Sequence, residues 1–452
     1  MDALATLIDW LRIPSISSDP AHNADTRRAA EFAADLLKNL DHVELIESPG
    51  RHPLVYADWL HAPGRPTLLF YGHYDVQPPE PLDEWHSPPF APTLRRDPHL
   101  PGANIYARGA ADDKGLALTL IWAVRQLLEE RGSLPVNVRF LIEGEEESGG
   151  EHIEQFVAEH PERLAADAAV IADTEMFAPE LPTLCVGLRG IIYGEIHVEG
   201  ARTDLHSGVY GGAAPNPLQA MAEIITALKN RDGHIEIPGF YERVSAPSPL
   251  ERAAWARLPF DEADYLSREV GSAELTGEPG VGLFERLWAR PTFEVHGIRG
   301  GFIGEGAKTV IPARAVAKVS FRLVADQQPA EAVEQIERAM AAATPRGVRA
   351  RFELLSAAAP SLVDTSNQYI QEAALAMTET FGVETVFTRS GGSIPVVGLF
   401  DQHLHIPSIM LGFGLPDDNL HAPNEKLYLP NFFRGIDATR RLIERIGALR
   451  ST

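Results

Sequence analysis

The sequence predicts an α/β fold: a mainly parallel sheet with helices on both faces, interrupted by an inserted α+β domain. Three observations predict it. First, "TLLFYGHYDV" (67–76), "VNVRFLI" (136–142) and "DAAVIAD" (167–173) are apolar runs that read as buried strands. Between the first two lies "KGLALTLIWAVRQLLEERG" (114–132), which reads as a largely buried helix closed by Gly132. Continuous apolar strands separated by helices need cover on both faces, as parallel sheets do. Second, the pattern changes near residue 187 to alternation of apolar and polar residues. Third, the first pattern returns after about residue 358.

The elements follow in order. The opening "MDALATLIDWLRIPSISSDP" reads as an amphipathic helix ending near Pro14. Asp2, Asp9 and Arg12 interrupt it, so it lacks the basic start and unbroken apolar middle of a signal peptide. Past residue 187, "IIYGEIHVEGA" alternates as a half-exposed strand does, and "NPLQAMAEIITALKN" (216–230) reads as a helix. "TFEVHGIRGGF" and "AVAKVSFRLV" are strands, "PAEAVEQIERAMAAA" a helix and "VRARFELLS" a strand. Two strand–helix–strand units of this kind predict a small antiparallel α+β domain of the ferredoxin-like type. Residues 231–290 read as a helical insertion within it. Beyond it, "TSNQYIQEAALAMTETFG" is a helix with Gly382 at its end. "IPSIMLGFG" (406–414) is a further buried strand. The expected layout is therefore discontinuous: 1–186 and 358–452 form one α/β domain, and 187–357 form the inserted one.

Composition bounds the function. A chain of 452 residues is too long for one ordinary core. With 44% hydrophobic and 23% charged residues it is globular. A net charge of -23 repels nucleic acid. No apolar run approaches the ~20 residues that span a bilayer, so no membrane role is expected. The single cysteine, Cys185, excludes an intrachain disulfide and a cysteine-rich metal site. It fits a reducing compartment, and a cytoplasmic location is expected.

The chemistry lies at the strand ends. His73 and Asp75 stand in "YGHYDVQP", Asp112 and Asp113 in "ARGAADDKG", Glu145 to Glu147 in "EGEEESGG", Asp173 in "IADTEM" and His421 in "DDNLHAPNEK". Ligands of open α/β sheets bind outside the carboxyl ends of the strands. Taken singly, each residue has a plain structural explanation. A histidine can be hydrogen-bonded and inert, the "ADDKG" acids can cap the following helix, and a run of glutamates can be a solvated loop. Jointly they form a metal-ligating pattern. Imidazole and carboxylate donors suit zinc, with manganese or cobalt as substitutes. Two histidines with several acids exceed one catalytic zinc and match a pair of metals ~3.5–4 Å apart, bridged by a carboxylate. His73 and Asp75, two apart on a strand end, face the same way. Asp75 can therefore accept from the far imidazole nitrogen of His73.

The stretches "GHYDVQP", "YARGAADDKG", "EGEEESGG", "DLHSGVYGG", "GAKTVIPARAVAKVSFRLV", "RSGGSIPV" and "HAPNEK" run in order from residue 72 to 426. On them the chain resembles the dinuclear zinc peptidases of the aminoacylase and glutamate carboxypeptidase type. Within these it is most similar to the carnosinase and cytosolic non-specific dipeptidase branch. The resemblance implies that Asp112 bridges two metals. His73 and Asp173 would complete one shell, and Glu147 and His421 the other. It makes Glu146 the general base and Asp75 the support of His73. It makes the inserted domain a lid through which a homodimer forms, with His206 reaching a neighbouring subunit's active site to stabilise the oxyanion. Arg322, with Arg389, Gly391, Gly392 and Ser393, would hold the terminal carboxylate of a small peptide. The implied reaction is metal-dependent hydrolysis of dipeptides or short peptides with a free C-terminal carboxylate. Alternatives are an N-acyl-amino-acid deacylase or desuccinylase of the same family, and an inactive relative that only binds peptides. Glu145 has no implied role; it either faces solvent or tunes its neighbours.

Two other motif readings are set aside. In "GEGAKT" (304–309), Ala307 separates Gly306 from Lys308, so a phosphate-binding ending is absent. "RSGGSIP" lacks the strand and G-x-S-x-G setting of a nucleophile elbow.

Overall fold

The structure is a computed structural model and describes residues 2–97 and 99–449. It divides into two compact units. The first comprises the chain up to Val186, Val363–Thr388 and the chain from Ile394; the second comprises Gly187–Leu362 and Arg389–Ser393.

The first unit is built on a mixed sheet that is parallel at its centre. Its strands lie in the order His42–Ile46, Leu54–Trp59, Asn137–Glu143, Thr67–His73, Ala168–Ile171, Ser408–Met410, Thr183–Leu188. Thr67–His73 runs parallel to both Asn137–Glu143 and Ala168–Ile171, and the latter runs parallel to Ser408–Met410. The outer pairs are antiparallel. Both faces are covered. Gly72 points at Ala117 of the helix Lys114–Arg131, while its neighbour Tyr71 meets Phe400 of the helix Pro395–Leu404 edge-on. Adjacent strand residues point to opposite faces, so the two helices lie on opposite sides of the sheet. Lys114–Arg131 ends as its sequence predicts, on Gly132 in the left-handed region at φ 69°.

Register positions the site. His73 lies opposite Glu143, and Tyr71 lies opposite Ile171. The central parallel strands therefore end level with one another. The loops that carry Asp75, Glu145–Glu147 and Asp173 all leave from one edge.

The second unit holds a four-stranded antiparallel sheet in the order Thr292–Gly300, Arg314–Leu323, Gly190–Glu199, Arg349–Ala358. With the helices Pro217–Leu228 and Pro329–Ala343 the chain order is β-α-β-β-α-β, the split arrangement. Gly190–Glu199 alternates buried and half-buried along its length. Ile192, Ile196 and Val198 share a core with Met221, Ile224, Phe321 and Ile336. Residues 231–290 carry only short helical pieces, such as Pro249–Trp255 and Leu283–Trp288. Among the described residues no helix is long and apolar enough to cross a membrane.

Candidate metal centre

Asp112 is the hinge of the site. Its Oδ1 lies 3.0 Å from His73 Nε2 and its Oδ2 lies 2.9 Å from His421 Nε2. His421 Nε2 also lies 3.3 Å from Glu147 Oε2. Two triads result, His73–Asp112–Asp173 and Asp112–Glu147–His421, and in each the donor atoms lie within 4.8 Å of one another. One buried carboxylate thus offers an oxygen to each of two adjacent groups of potential ligands.

The surroundings hold these donors in place. His73 Nδ1, the far nitrogen, lies 3.1 Å from the Asp75 carbonyl and 3.3 Å from Asp75 Oδ1. The other Asp75 oxygen accepts from Ser17 Oγ at 2.6 Å and from the Glu147 N–H at 3.1 Å. Gln77 Nε2 donates to Glu147 Oε2 at 2.8 Å. Asp113 precedes the first residue of the helix, yet its side chain makes no cap. Its Oδ2 instead accepts the His73 N–H at 3.0 Å. Gly72 permits this, because a Cβ there would lie 2.8 Å from that oxygen. The helix-capping explanation of the "ADDKG" acids is thereby replaced by one in which Asp113 ties the helix start to the His73 strand.

The three glutamates separate by contact. Glu145 is buried, and its Oε1 accepts the His52 N–H at 2.8 Å. It faces neither solvent nor the ligand sets by hydrogen bond; it fastens the 50–53 loop. Glu147 belongs to the second triad. Glu146 is half-buried, and burial, with the charges of Glu147, Asp112 and Asp75, pushes its carboxyl up to about 7. Burial and neighbouring acids push Asp173 well above the usual carboxylate range. His421 is raised to about 10 by its bonds to Asp112 and Glu147. Asp112 is held low against its burial by the two imidazoles. Two imidazoles face Asp75, Asp112, Glu146, Glu147 and Asp173, so the cluster is short of positive charge. Two divalent cations would nearly balance it, and the donors are of the type that binds them.

The remaining predicted residues lie in the second unit. Arg322 Nη1 donates to Ser393 Oγ at 2.9 Å, and Ser393 Oγ donates to the Arg189 carbonyl. Gly391 and Gly392 are bound through their carbonyls, to Arg189 Nε at 3.0 Å and to the Arg189 N–H at 3.1 Å. Arg389 does not join them. It is buried, its Nε donates to Glu251 Oε1 at 3.0 Å, and it lies over the Trp255 ring. In this structure Glu251 is the carboxylate paired with that guanidinium. Arg189 was missed by sequence reasoning, although "GLRG" opens the inserted segment. His206 is exposed at the end of the short strand Leu205–His206, where its Nδ1 accepts the Gly208 N–H at 3.0 Å. Asp113, Gln77 and Ser17 were also missed as supports. Asp113 and Gln77 stand within the motifs themselves, whereas nothing local in the sequence signals Ser17.

A sequence profile of the peptidase family M20/M25/M40 matches residues 69–445. The chain belongs to this peptidase family. A Cys-Gly metallodipeptidase of Schizosaccharomyces pombe is 31% identical over 440 residues, 94% of this chain and 91% of that one. A Beta-Ala-His dipeptidase of Rattus norvegicus is 30% identical, over 95% of this chain and 90% of its own. Among solved structures, the dipeptidase Dug1p of Saccharomyces cerevisiae superposes with a TM-score of 0.82 at 28% identity, covering 99% of this chain and 96% of that one. An M20 family metallo-carboxypeptidase of Sulfolobus solfataricus gives 0.86 at 30% identity, covering 99% and 100%. This M20 enzyme is accordingly a metal-dependent dipeptidase with a small peptide substrate.

Proposed function

We propose that this dipeptidase works with two divalent ions, zinc being best suited, that share Asp112. His73 and Asp173 would complete one shell, and Glu147 and His421 the other. The observation that carries this is the division of the two Asp112 oxygens between His73 and His421. When bound, the metals supply Lewis acidity and bring the pKa of water from 15.7 toward ~7.

The protein residues do the rest. Glu146 accepts a proton from the attacking water and returns it to the departing amine. Asp75 fixes the orientation of His73. Arg322, steadied by Ser393, pairs with the free carboxylate of the dipeptide in two-point geometry. Burial of Arg322 and of Arg189 lowers both guanidinium pKa values, and Arg322 adds to the effect on Arg189. Two such cations in one unit of an acidic chain support an anionic ligand there. The inserted unit is proposed as lid and dimer surface, with His206 donating to the oxyanion of a partner's substrate. Exposed apolar side chains on that unit, Val209, Ile298 and Ile303 among them, support the dimer. The single cysteine supports a reducing, cytoplasmic setting.

The test is a substrate panel with and without chelator. Dipeptides should be cleaved in preference to N-acetyl and N-succinyl amino acids and to C-terminally amidated dipeptides. Chelation should abolish turnover, and zinc or manganese should restore it. Undiminished dipeptide hydrolysis by fully chelated enzyme would overturn the two-metal reading.

A further inference from the structure

Glu425 lies four residues beyond His421 in "HAPNEK" and is fully buried. A buried carboxylate needs several donors, and this one has them. Its Oε1 accepts the backbone N–H of Ala111 at 2.9 Å and of Asp112 at 3.0 Å. Its Oε2 accepts the N–H of Gly109 at 2.9 Å and Arg108 Nη1 at 2.8 Å. Its own carbonyl accepts the Ala107 N–H at 3.1 Å. Arg108 is buried as well, lies over the Trp85 ring and donates to the Pro78 carbonyl at 3.2 Å. The loop that presents Asp112 is therefore wrapped around one side chain. That side chain belongs to the loop that presents His421. His421 itself stands in the left-handed region at φ 59°, a conformation that its loop must enforce.

We propose that Glu425 is a positioning residue of the metal centre. It sets the path of residues 108–112 so that Asp112 divides its oxygens between the two triads, and it locks that loop to the one carrying His421. This rests on the two-metal reading above. The charge and the symmetry of the carboxylate both matter. Each oxygen receives two donors, so in Glu425→Gln the amide NH2 must face two N–H groups whichever way it is turned. The loop would have to move to relieve that conflict, and Asp112 would move with it.

The experiment compares wild type, Glu425→Gln and Glu425→Asp as metal-free proteins. Zinc affinity is measured by competition with a chromogenic chelator, beside circular dichroism and thermal melting of the same samples. Glu425→Gln should bind zinc about 10–100-fold more weakly while remaining folded. Glu425→Asp, which keeps the charge, should fall between. A folded Glu425→Gln protein with wild-type zinc affinity overturns the proposal. If that variant does not fold, amide exchange in metal-free wild type decides. The amides of Gly109, Ala111 and Asp112 should exchange slowly, and exchange as fast as that of exposed loop amides overturns the proposal. A wild-type protein that bound no zinc would instead remove the two-metal reading itself.

Discussion

Among neighbouring residues of one type, hydrogen-bond partners separate roles that sequence position leaves together. Glu145, Glu146 and Glu147 are chemically identical, and only their contacts divide them. Glu145 is committed to the His52 N–H, and Glu147 stands with Gln77 and His421. Glu146 remains as the acid raised toward neutrality. Glu146→Gln should keep zinc affinity near wild type and lower kcat by about 10²–10⁴-fold, the range of a lost general base. Zinc content and steady-state kinetics on one preparation would check this; undiminished kcat would remove Glu146 from the reaction. For Arg322, removal of a charged partner costs about 2–5 kcal/mol. Arg322→Ala should therefore raise KM for free dipeptides far more than for their amides. The residues of the metal cluster were legible because acids and imidazoles recur at successive strand ends. The Arg389–Glu251 pair was not legible, because the two residues lie 138 positions apart in sequence and nothing local records such a pairing.

At the level of elements, periodicity carries far and pairing does not. The helices Lys114–Arg131 and Gln368–Phe381 both end on left-handed glycines, as their sequences predict. The run 406–414 forms a strand only over Ser408–Met410, because apolarity tracks burial rather than pairing. Leu411 and Phe413 are fully buried beyond the paired part. The small sheet of Thr93–Arg96, Ala103–Tyr106 and Lys426–Tyr428 joins segments from opposite ends of the chain and could not be read locally. Close packing at one helix start yields a prediction. A Cβ on Gly115 would lie 1.9 Å from the Ala110 carbonyl oxygen and 2.7 Å from Leu427 Cδ2. Backbone cannot step aside as a side chain can, so Gly115→Ala should destabilise by at least about 1–3 kcal/mol. It should also weaken zinc binding, since Ala110 leads into Asp112. Gly132→Ala, at the other end of the same helix, meets no neighbour. It should cost about 1–2 kcal/mol through its left-handed φ alone and leave zinc affinity unchanged. Denaturant melts and chelator competition on the two variants separate these outcomes; equal zinc affinities would remove the link between Gly115 and the metal loop.

For the whole molecule, the parallel sheet was legible from its apolar runs, whereas the placing of 389–393 with the second unit was not. Arg189 captures that segment by specific hydrogen bonds, which leave no periodic trace. The charge of the assembled site has a consequence for stability. In the metal-free protein, burial raises Asp113 and Glu143 to about 8, Glu146 and Glu175 to about 7, Asp418 to about 7 and Asp173 well above normal. A raised carboxyl binds its proton more tightly folded than unfolded. Its contribution is complete below the unfolded value near 4 and is lost as pH rises through the folded value. His421, raised to about 10, likewise loses its contribution as pH climbs above about 6.5. Asp112, held low, matters only in acid. Lys114, lowered by burial to about 7, pushes the other way above that value, one group against several. Metal-free enzyme should therefore melt at lower temperature as pH rises from 6 to 8.5. Zinc competes with those protons, so its binding releases them and strengthens over the same range. At a zinc concentration about 100 times Kd the gain is about 2.7 kcal/mol. At fixed zinc, that ratio and the gain should both grow with pH. Thermal melts of metal-free and zinc-loaded protein at pH 6, 7 and 8 should thus diverge as pH rises. Parallel curves would mean that the acids around Asp112 are not the groups zinc neutralises.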